Sequence, residues 1–310
     1  MLLFFQPNAG VAVTAKNLNF DVVILGHIAK DKLIIDGEEK DALGGAVYYG
    51  AMALSKLNYS VAIITLLSKN DFFYLDIMRK DGIEVFSYEA EVTSGIKNTY
   101  YGENHDRRIC EPIAFAGEFK TEHIPDISTK VFHIGPIMAG EVSLNLIEQI
   151  TSQFERVSLD LQGVLRVRDG KQLIFVDWPD KERGLKGIHT VKADSVELEV
   201  ITGEKNISKA ARIIAGWGPR EIVITHKDGL LVYVEGDIFE APFTPNSIKG
   251  RTGRGDTSIV SYLTSRSKAS AEESCRFAAA VTSLKLEKEG PFDRTIEDIQ
   301  AKLAADYSLA

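Results

Sequence analysis

Short apolar segments alternate with segments of helical periodicity along most of this chain. Such alternation is typical of βαβ units, in which a helix connects two parallel strands. Buried strands are predicted at residues 21–25, 61–66, 130–134, 157–161 and 221–225. Helices are predicted at residues 47–57, 71–80, 143–153 and 207–215. The sequence therefore predicts an α/β fold with a mostly parallel central sheet flanked by helices.

Capping residues mark the starts of several predicted helices. Asn70 and Asn206 precede helical patterns and are predicted N-caps, because their side chains can accept a hydrogen bond from a first-turn N–H group. Ser270 and Glu273 have the spacing of a capping box, which predicts a helix that continues to about Leu286.

Two regions, residues 32–38 and 84–115, depart from the alternation. They contain strand-like pieces but no convincing helix. Antiparallel strands inserted into a parallel-sheet protein often cover a cleft and exclude water from it. We expect lid strands at about residues 30–42 and 84–116, although a sheet extension that serves packing alone would give the same pattern. Since no linker divides the chain, we expect a single domain, with residues 1–18 as an extra leading segment.

The composition excludes several classes of protein. A net charge of −8 argues against a nucleic-acid partner, because binding to phosphate backbones requires a positive excess. No apolar stretch approaches the roughly 18 residues of a membrane span. Cys110 and Cys275 are far apart, which favours a reducing compartment, and the leading segment is a poor secretory signal. The chain is expected to be a cytoplasmic enzyme.

The segment 250–263, GRTGRGDTSIVSYL, is the strongest functional motif. Gly253, Arg254 and Gly255 form a turn that enters a predicted helix, where unpaired N–H groups and the helix dipole favour an anion. Asp256 lies in the first turn and can accept a proton. An anion site beside a fixed carboxylate suits phosphoryl transfer to an alcohol. The alternative is that Asp256 only caps the helix.

Other candidate residues lie near predicted element ends. Gly44 and Gly45 precede a helix and allow a ligand to approach the backbone, or they form only a tight turn. Asp31 follows the first strand, at the edge of the sheet where ligands collect, or it is a solvated loop charge. Asp194 and Glu197 have the spacing of one helical face and can organise Mg²⁺ through water, or they form a solvated face.

These motifs together resemble the PfkB, or ribokinase-like, family of carbohydrate kinases over residues 21–310. The family has a glycine pair near its front, here Gly44-Gly45, and a late D-T-x-G-A-G-D motif, here Thr252 to Asp256. The resemblance implies a ribokinase-like fold with a small β-sheet lid. It also implies a kinase that uses ATP and Mg²⁺, and monovalent-cation activation is known in the family.

The resemblance also implies roles for individual residues. Asp256 would be the base, and the N–H groups of Gly253, Arg254 and Gly255 would hold the transferring γ-phosphoryl group. The residues that would hold the acceptor hydroxyls are Asp31, Gly44 and Gly45. Glu197 would match the glutamate of the N-x-x-E motif that orders Mg²⁺. The segment 223–229 looks like the family's nucleotide-side strand and turn, so the nucleotide-binding residues would be Thr225, Lys227 and Gly229.

Four positions depart from the family pattern. Asp194 stands where the motif has Asn, Gly250 where the signature begins with Asp, and Arg254 between glycines that usually flank a small residue. Tyr49 stands where sugar kinases commonly place a sugar-binding Asn, which argues against a fructose- or ribose-type pocket. The segments 44–49 and 159–163 are similar to the inositol kinase branch.

The sequence therefore predicts a kinase for a hydroxyl of a sugar or cyclic polyol, with in-line transfer. A nucleoside kinase of the same fold is an alternative, in which tyrosines at positions 48, 49, 100 and 101 wall the pocket. A non-catalytic ligand sensor derived from the fold is another. A homodimer through the exposed lid edge is also plausible from the strand pattern.

Overall fold

The computed structural model describes residues 18–101 and 107–308, so all of the leading segment except Leu18 lies outside it. Its strands, in chain order, are β1 (Asn19–Leu25), β2 (Ala29–Ile35), β3 (Glu38–Gly44), β4 (Val61–Ser68), β5 (Glu84–Ala90), β6 (Gly95–Tyr101), β7 (Arg107–Ala114), β8 (Ser128–Ile134), β9 (Val157–Asp160), β10 (Arg166–Asp169), β11 (Gln172–Phe175), β12 (Thr190–Asp194), β13 (Glu221–Thr225), β14 (Gly229–Val234) and β15 (Asp237–Pro242).

The helices of the same residues alternate with these strands. They are α1 (Ala46–Lys56), α2 (Leu75–Lys80), α3 (Leu144–Gln153), α4 (Gln162–Leu165), α5 (Lys181–Leu185), α6 (Ser195–Thr202), α7 (Ile207–Ala215), α8 (Arg254–Ser265), α9 (Ala271–Leu286) and α10 (Ile296–Asp306). Short 3₁₀ helices lie at Lys69–Tyr74 and Thr121–His123. None of the helices in the described ranges has both the length and the hydropathy needed to cross a bilayer.

The central sheet has nine strands within the described residues, in the order β15-β14-β13-β12-β9-β8-β1-β4-β5. All neighbouring strands from β13 through β12, β9, β8, β1 and β4 to β5 pair in parallel. The strands β14 and β15 add an antiparallel edge beside β13. Alternate side chains of β1 face opposite layers: Val22 and Ile24 pack with α1, α8 and α9, whereas Val23 and Leu25 pack with α3, α6 and α7. The predicted mostly parallel sheet flanked by helices is confirmed.

A separate four-stranded sheet has the order β3-β2-β6-β7. The prediction of a single strand at 32–38 is wrong, because these residues cover the end of β2, a turn and the start of β3. Asp36 and Gly37 have φ angles of 52° and 85° and form the turn between β2 and β3. The strand-like piece predicted at 84–87 is not part of this sheet. It lies in β5, which pairs in parallel with β4 at the edge of the central sheet, because β4, α2 and β5 form a βαβ unit.

Tertiary contacts also change the start of the helix predicted at 71–80. Residues 69–74 form a 3₁₀ helix and α2 begins only at Leu75, so Asn70 lies within the 3₁₀ helix and is not the predicted cap. The Asp71 carboxylate accepts hydrogen bonds from Lys30 of β2 and from Thr93, at 2.9 and 2.6 Å. These bonds tie the 3₁₀ helix to the small sheet.

Other predicted helix starts are confirmed. The side chain of Asn206 accepts a hydrogen bond from the Lys209 N–H group and caps α7. Ser270 and Glu273 form the predicted capping box of α9. The hairpin formed by β10 and β11 was not predicted, because its two strands are only four residues each and follow the short helix α4 directly.

The close approach of β1 and β8 at their carboxyl ends allows a test of the fold. A Cβ atom on Gly26 would lie 2.4 Å from the carbonyl oxygen of Gly135, so Gly26→Ala must displace backbone. We expect this overpacking to lower the free energy of unfolding by about 1–3 kcal/mol in urea denaturation. The control is Gly216→Ala, at a helical φ of −63° at the end of α7, where we expect a change within about 0.5 kcal/mol. Equal losses in both variants would contradict this explanation.

Candidate active site

A cavity of about 680 Å³ lies at the carboxyl ends of the central strands, between the two sheets. Residues 251–256 form one wall, and the ends of β12 and β13 contribute Lys192, Asp194 and Thr225. The small sheet and the β10–β11 hairpin cover the other side. This is the edge of a parallel sheet at which ligands generally bind. The cavity therefore brings together residues that are distant in sequence.

The anion turn, residues 253–255, was predicted to bind an anion at the start of a helix, and its first residue has the expected geometry. Gly253 is the N-cap of α8 and has a φ of 78°, a left-handed conformation that favours glycine. The Arg254 N–H group, however, donates to the carbonyl oxygen of Arg251 at 3.2 Å. The N–H groups of Gly255 and Asp256 lie in the first turn, where a helix supplies no acceptor. These two amides are therefore the helix donors best placed for an anion.

Tyr49 of α1 explains why the turn requires glycine at position 253. A Cβ atom on Gly253 would lie 2.2 Å from two atoms of the Tyr49 ring. Tyr49 is buried, lines the cavity and packs edge-on against Tyr48, with 5.2 Å between ring centroids. The Tyr49 ring therefore fixes α1 against the anion turn.

Asp256 lies beside these amides and lines the cavity. Burial raises the pKa of its carboxyl group to about 6, and the negative charge of Asp160 acts in the same direction. The positive charges of Lys192, Arg166 and Lys285 lower this pKa in part. At neutral pH the carboxylate is ionised and yet basic enough to accept a proton, as a general base requires.

Lys192 was missed by the sequence analysis. It lies in β12, is 5% exposed, and lines the cavity. Its Nζ atom is 3.1 Å from an Asp160 carboxylate oxygen and 3.7 Å from a Glu197 carboxylate oxygen. A Cβ atom on Gly255 would lie 3.0 Å from the same Nζ atom, so the ammonium sits beside the start of α8. The sequence feature that could have indicated it is a lysine near the carboxyl end of a buried strand.

Asp194 and Glu197 do not form the exposed pair on one helical face that their spacing suggested. Asp194 is the N-cap of α6, and its Oδ1 atom accepts hydrogen bonds from Val196 and Glu197, both at 2.9 Å. Glu197 completes a capping box by accepting from the Asp194 N–H group, and it is 1% exposed. Asp194 lines the cavity, whereas Glu197 does not. The motif is therefore a capping box, and because Glu197 is buried it is not the solvated face that was the alternative.

The donor set for Mg²⁺ is correspondingly small. Within residues 18–101 and 107–308, no group of three or more His, Cys, Asp or Glu side chains is arranged to hold a metal ion. Mg²⁺ in phosphoryl-transfer enzymes is commonly bound through one or two carboxylates, substrate phosphates and water. Asp194 fits that pattern from the cavity wall.

Two of the predicted acceptor residues lie in the cavity wall. The Asp31 side chain belongs to β2, where its Oδ1 atom accepts a hydrogen bond from the Ile96 N–H group at 2.9 Å. Gly45 is the N-cap of α1 and has a φ of 94°. Gly44 does not line the cavity, but its missing side chain makes room for the Asp31 carboxylate, which a Cβ atom would approach to 2.3 Å. The same wall includes Arg166, and it also includes Asn98 and Gln162, which the sequence analysis did not place in the acceptor site.

The predicted nucleotide-binding residues separate into two groups. Thr225 lines the cavity at the end of β13. Lys227 is exposed in the turn that follows, and Gly229 is buried in β14 against the Ala241 carbonyl group. Neither Lys227 nor Gly229 lines the cavity. The three residues share the β13–β14 hairpin, in which the His226 N–H group donates to the Gly229 carbonyl oxygen at 3.0 Å, but of the three Thr225 alone lines the cavity.

Comparison with known proteins agrees with this fold. The model of the pfkB family of carbohydrate kinases matches residues 11–297. The cytidine kinase of Thermococcus kodakarensis is 27% identical over 271 residues, which are 82% of this chain and 91% of that protein.

Solved structures extend the comparison. A pyrophosphate-dependent kinase of the ribokinase family, in a sulfate complex, is 35% identical, with a TM-score of 0.85 over 90% of this chain and 99% of that chain. A structure of such a kinase with a pyrophosphate analog and myo-inositol is 34% identical, with a TM-score of 0.84 and the same coverage. The ribokinase of Arabidopsis thaliana, 17% identical with a TM-score of 0.72 over 92% of this chain and 99% of its own, shows the fold alone. The chain belongs to the pfkB family of carbohydrate kinases.

Proposed function

We propose that this kinase transfers a phosphoryl group from inorganic pyrophosphate to a hydroxyl group of a cyclic polyol. The observation that carries the proposal is the placement of Asp256 and the first turn of α8 in one cavity with Asp31 and Gly45. A base and an anion site lie on one wall, and groups suited to hydroxyls lie on the other. The small sheet is proposed to act as a lid that keeps water from the transferring group.

The reaction follows from the charges of the wall. The Asp256 carboxylate takes the proton of the acceptor hydroxyl as its oxygen attacks phosphorus, and the phosphate leaving group departs on the opposite side. The amides at the start of α8 stabilise negative charge on the transferring group. Lys192, Arg251 and Arg254 line the same wall and oppose the charge of the donor. Asp194 would hold Mg²⁺ through water, and this ion would shield donor phosphates when bound.

A small inorganic donor suits the extent of the cavity. ATP, which the family resemblance implied, requires a surface for its nucleoside beyond the phosphate site. Lys227 and Gly229 were expected on that surface, and neither lines the cavity. Two solved structures that are 34–35% identical to this chain are both of a pyrophosphate-dependent kinase in the ribokinase family, and one of them contains a pyrophosphate analog. Both observations support pyrophosphate over ATP.

A cyclic polyol suits the acceptor wall. Asp31, Asn98, Gln162 and Arg166 distribute polar groups around the cavity, as several ring hydroxyls would require. Ile96 and Phe175 add apolar surface for the carbon ring. A nucleoside acceptor is the second candidate. It is favoured by the likeness to a cytidine kinase and by Tyr100, which lines the cavity and offers a stacking surface.

The donor proposal predicts a clear preference in turnover. With myo-inositol as acceptor, we expect kcat/KM for Mg-pyrophosphate to exceed that for Mg-ATP by about 100-fold, because ATP would have to place its nucleoside outside the cavity. The phosphorylated product would be measured with both donors, together with the release of orthophosphate from pyrophosphate and of ADP from ATP. A preference for ATP would reject pyrophosphate as the donor but would still agree with a kinase activity. Turnover of cytidine but not of myo-inositol would favour the nucleoside candidate.

The role of Asp256 predicts a loss of rate and a pH profile. Asp256→Asn should lower kcat by about 10²–10⁴-fold, because the amide cannot accept the proton. In the wild type, kcat should fall as the pH drops below about 6, where the carboxyl group becomes protonated. The control is Asp298→Asn, which removes an acidic first-turn residue of α10 and leaves the cavity intact. A normal kcat in Asp256→Asn would reject its role as base.

A further inference from the structure

A buried lysine lies behind the anion turn and, apart from the effect of its charge on the pKa of Asp256, has no role in the reaction described so far. Lys285, in the last turn of α9, is 2% exposed and does not line the cavity. Its Nζ atom donates a hydrogen bond to the carbonyl oxygen of Gly250 at 2.8 Å. Burial of an ammonium group is costly unless the charge serves an interaction. This position therefore calls for a physical explanation.

The contacts of Lys285 converge on the anion turn. Its Nζ atom lies 5.6 Å from the centroid of the Tyr49 ring, and that ring fills the space beside Gly253. The ammonium group is therefore linked to the turn in two ways, through the Gly250 carbonyl group and through the aromatic ring. A cation over an aromatic face is attracted to it, and the attraction is larger when both are desolvated.

The backbone before the turn is seated on the same end of α9. The N–H groups of Lys249 and Gly250 both donate to the Leu286 carbonyl oxygen, at 2.8 and 3.2 Å. A Cβ atom on Gly250 would lie 2.5 Å from the Lys288 carbonyl oxygen. The close seating of this segment accounts for glycine at position 250, where the family signature begins with Asp. It also fixes the Gly250 carbonyl group where the Lys285 ammonium group reaches it.

We propose that Lys285 is a positioning residue for phosphoryl transfer. Its ammonium group holds residues 250–253 so that the first-turn amides of α8 meet the transferring group, and it adds a fixed positive charge behind them. This role rests on the proposed function. It differs from that of Lys192, which lines the cavity and can meet the donor directly.

The electrostatic surroundings give this role a pH dependence. Burial lowers the pKa of Lys285 to about 8, and the positive charge of Arg254 acts in the same direction, whereas Asp256 and Glu289 oppose it. Tyr49 also faces the ammonium group, and burial raises the pKa of its hydroxyl group. The ammonium group is charged below about pH 8 and neutral above it. Its contribution should therefore be present at neutral pH and disappear in the alkaline range.

The test compares two buried lysines. Lys285→Met keeps most of the length of the side chain and removes its charge. We expect kcat with saturating pyrophosphate and myo-inositol to fall by about 100-fold, because a small displacement of the anion turn misaligns the reacting atoms. The KM for myo-inositol should change by less than about threefold, since Lys285 lies outside the acceptor wall.

The matched control is Lys302→Met. Lys302 of α10 is 9% exposed and, like Lys285, donates to a backbone carbonyl group, that of Thr244. It does not line the cavity either, and its charge is paired with Asp306. Lys302→Met should lose stability and keep kcat. A wild-type kcat in Lys285→Met, or an equal loss of kcat in both variants, would overturn the proposal.

Two further measurements separate positioning from general stability. The wild-type kcat should decline above about pH 8 toward that of Lys285→Met, which should be flat there. A wild-type profile that stays level through the alkaline range would overturn the role of the charge. If Lys285→Met does not fold, the deciding variant is Lys285→Arg, which keeps its positive charge in the alkaline range. A kcat within about tenfold of the wild type, without the decline above pH 8, supports the proposal. A wild-type kcat that still declines above pH 8 overturns it.

The outcome also distinguishes this proposal from the proposed function. An active wild type with an unchanged Lys285→Met variant rejects only the role of Lys285. A wild type without turnover rejects the proposed function. In that case calorimetry with inorganic pyrophosphate decides the role of Lys285: about tenfold weaker binding in Lys285→Met than in Lys302→Met supports it, and equal binding overturns it.

Discussion

The packing of the Tyr49 ring against Gly253 is the contact on which the site depends. Gly253 must be glycine for two reasons, its left-handed φ of 78° and the ring atoms that occupy the place of a side chain. Tyr49 belongs to α1, whose N-cap Gly45 lies in the same cavity. The contact therefore fixes the acceptor wall relative to the anion turn, although some two hundred residues separate them in sequence. A smaller residue at position 49 would leave the turn without this support.

The charges around Asp256 form a balanced set. A carboxylate in a concave wall loses solvation, which raises its pKa, and the nearby Asp160 raises it further. Lys192 lines the same cavity and is paired with Asp160 and Glu197. Its positive charge lowers the pKa of Asp256 and so compensates in part for the loss of solvation. The result is a carboxyl group with a pKa of about 6, near enough to neutrality to exchange a proton and still ionised before the reaction. This balance requires burial, so it could only be assessed once the neighbours of Asp256 were known.

The sequence predicted elements whose patterns are local and missed features that depend on distant contacts. The buried strands and α7 follow from apolar runs and from Asn206, which the structure confirms. The strand-like piece at 84–87 was assigned to the lid because residues 84–115 show no convincing helix, yet the βαβ connection places it in β5, beside β4. Glu197 has the spacing of a metal ligand, but the same spacing forms a capping box. Lys192 carries no motif, and only the pairing of β12 with β9 brings it to Asp160.

The attachment of the small sheet determines where the acceptor can lie. Asp31 is on β2 of the small sheet, whereas Asp256 is on α8, a helix that packs against the central sheet. The group that would bind a hydroxyl and the base that would deprotonate one therefore belong to different parts of the fold. The residue before Asp31 anchors β2, because Lys30 bonds to Asp71 and Asp71 also accepts from Thr93. The Ser68 N–H group at the end of β4 donates to the same Thr93 hydroxyl at 2.9 Å. This chain of bonds joins the base of the small sheet to the central sheet. Asp31, which follows Lys30 on β2, is therefore held near a fixed place relative to β4.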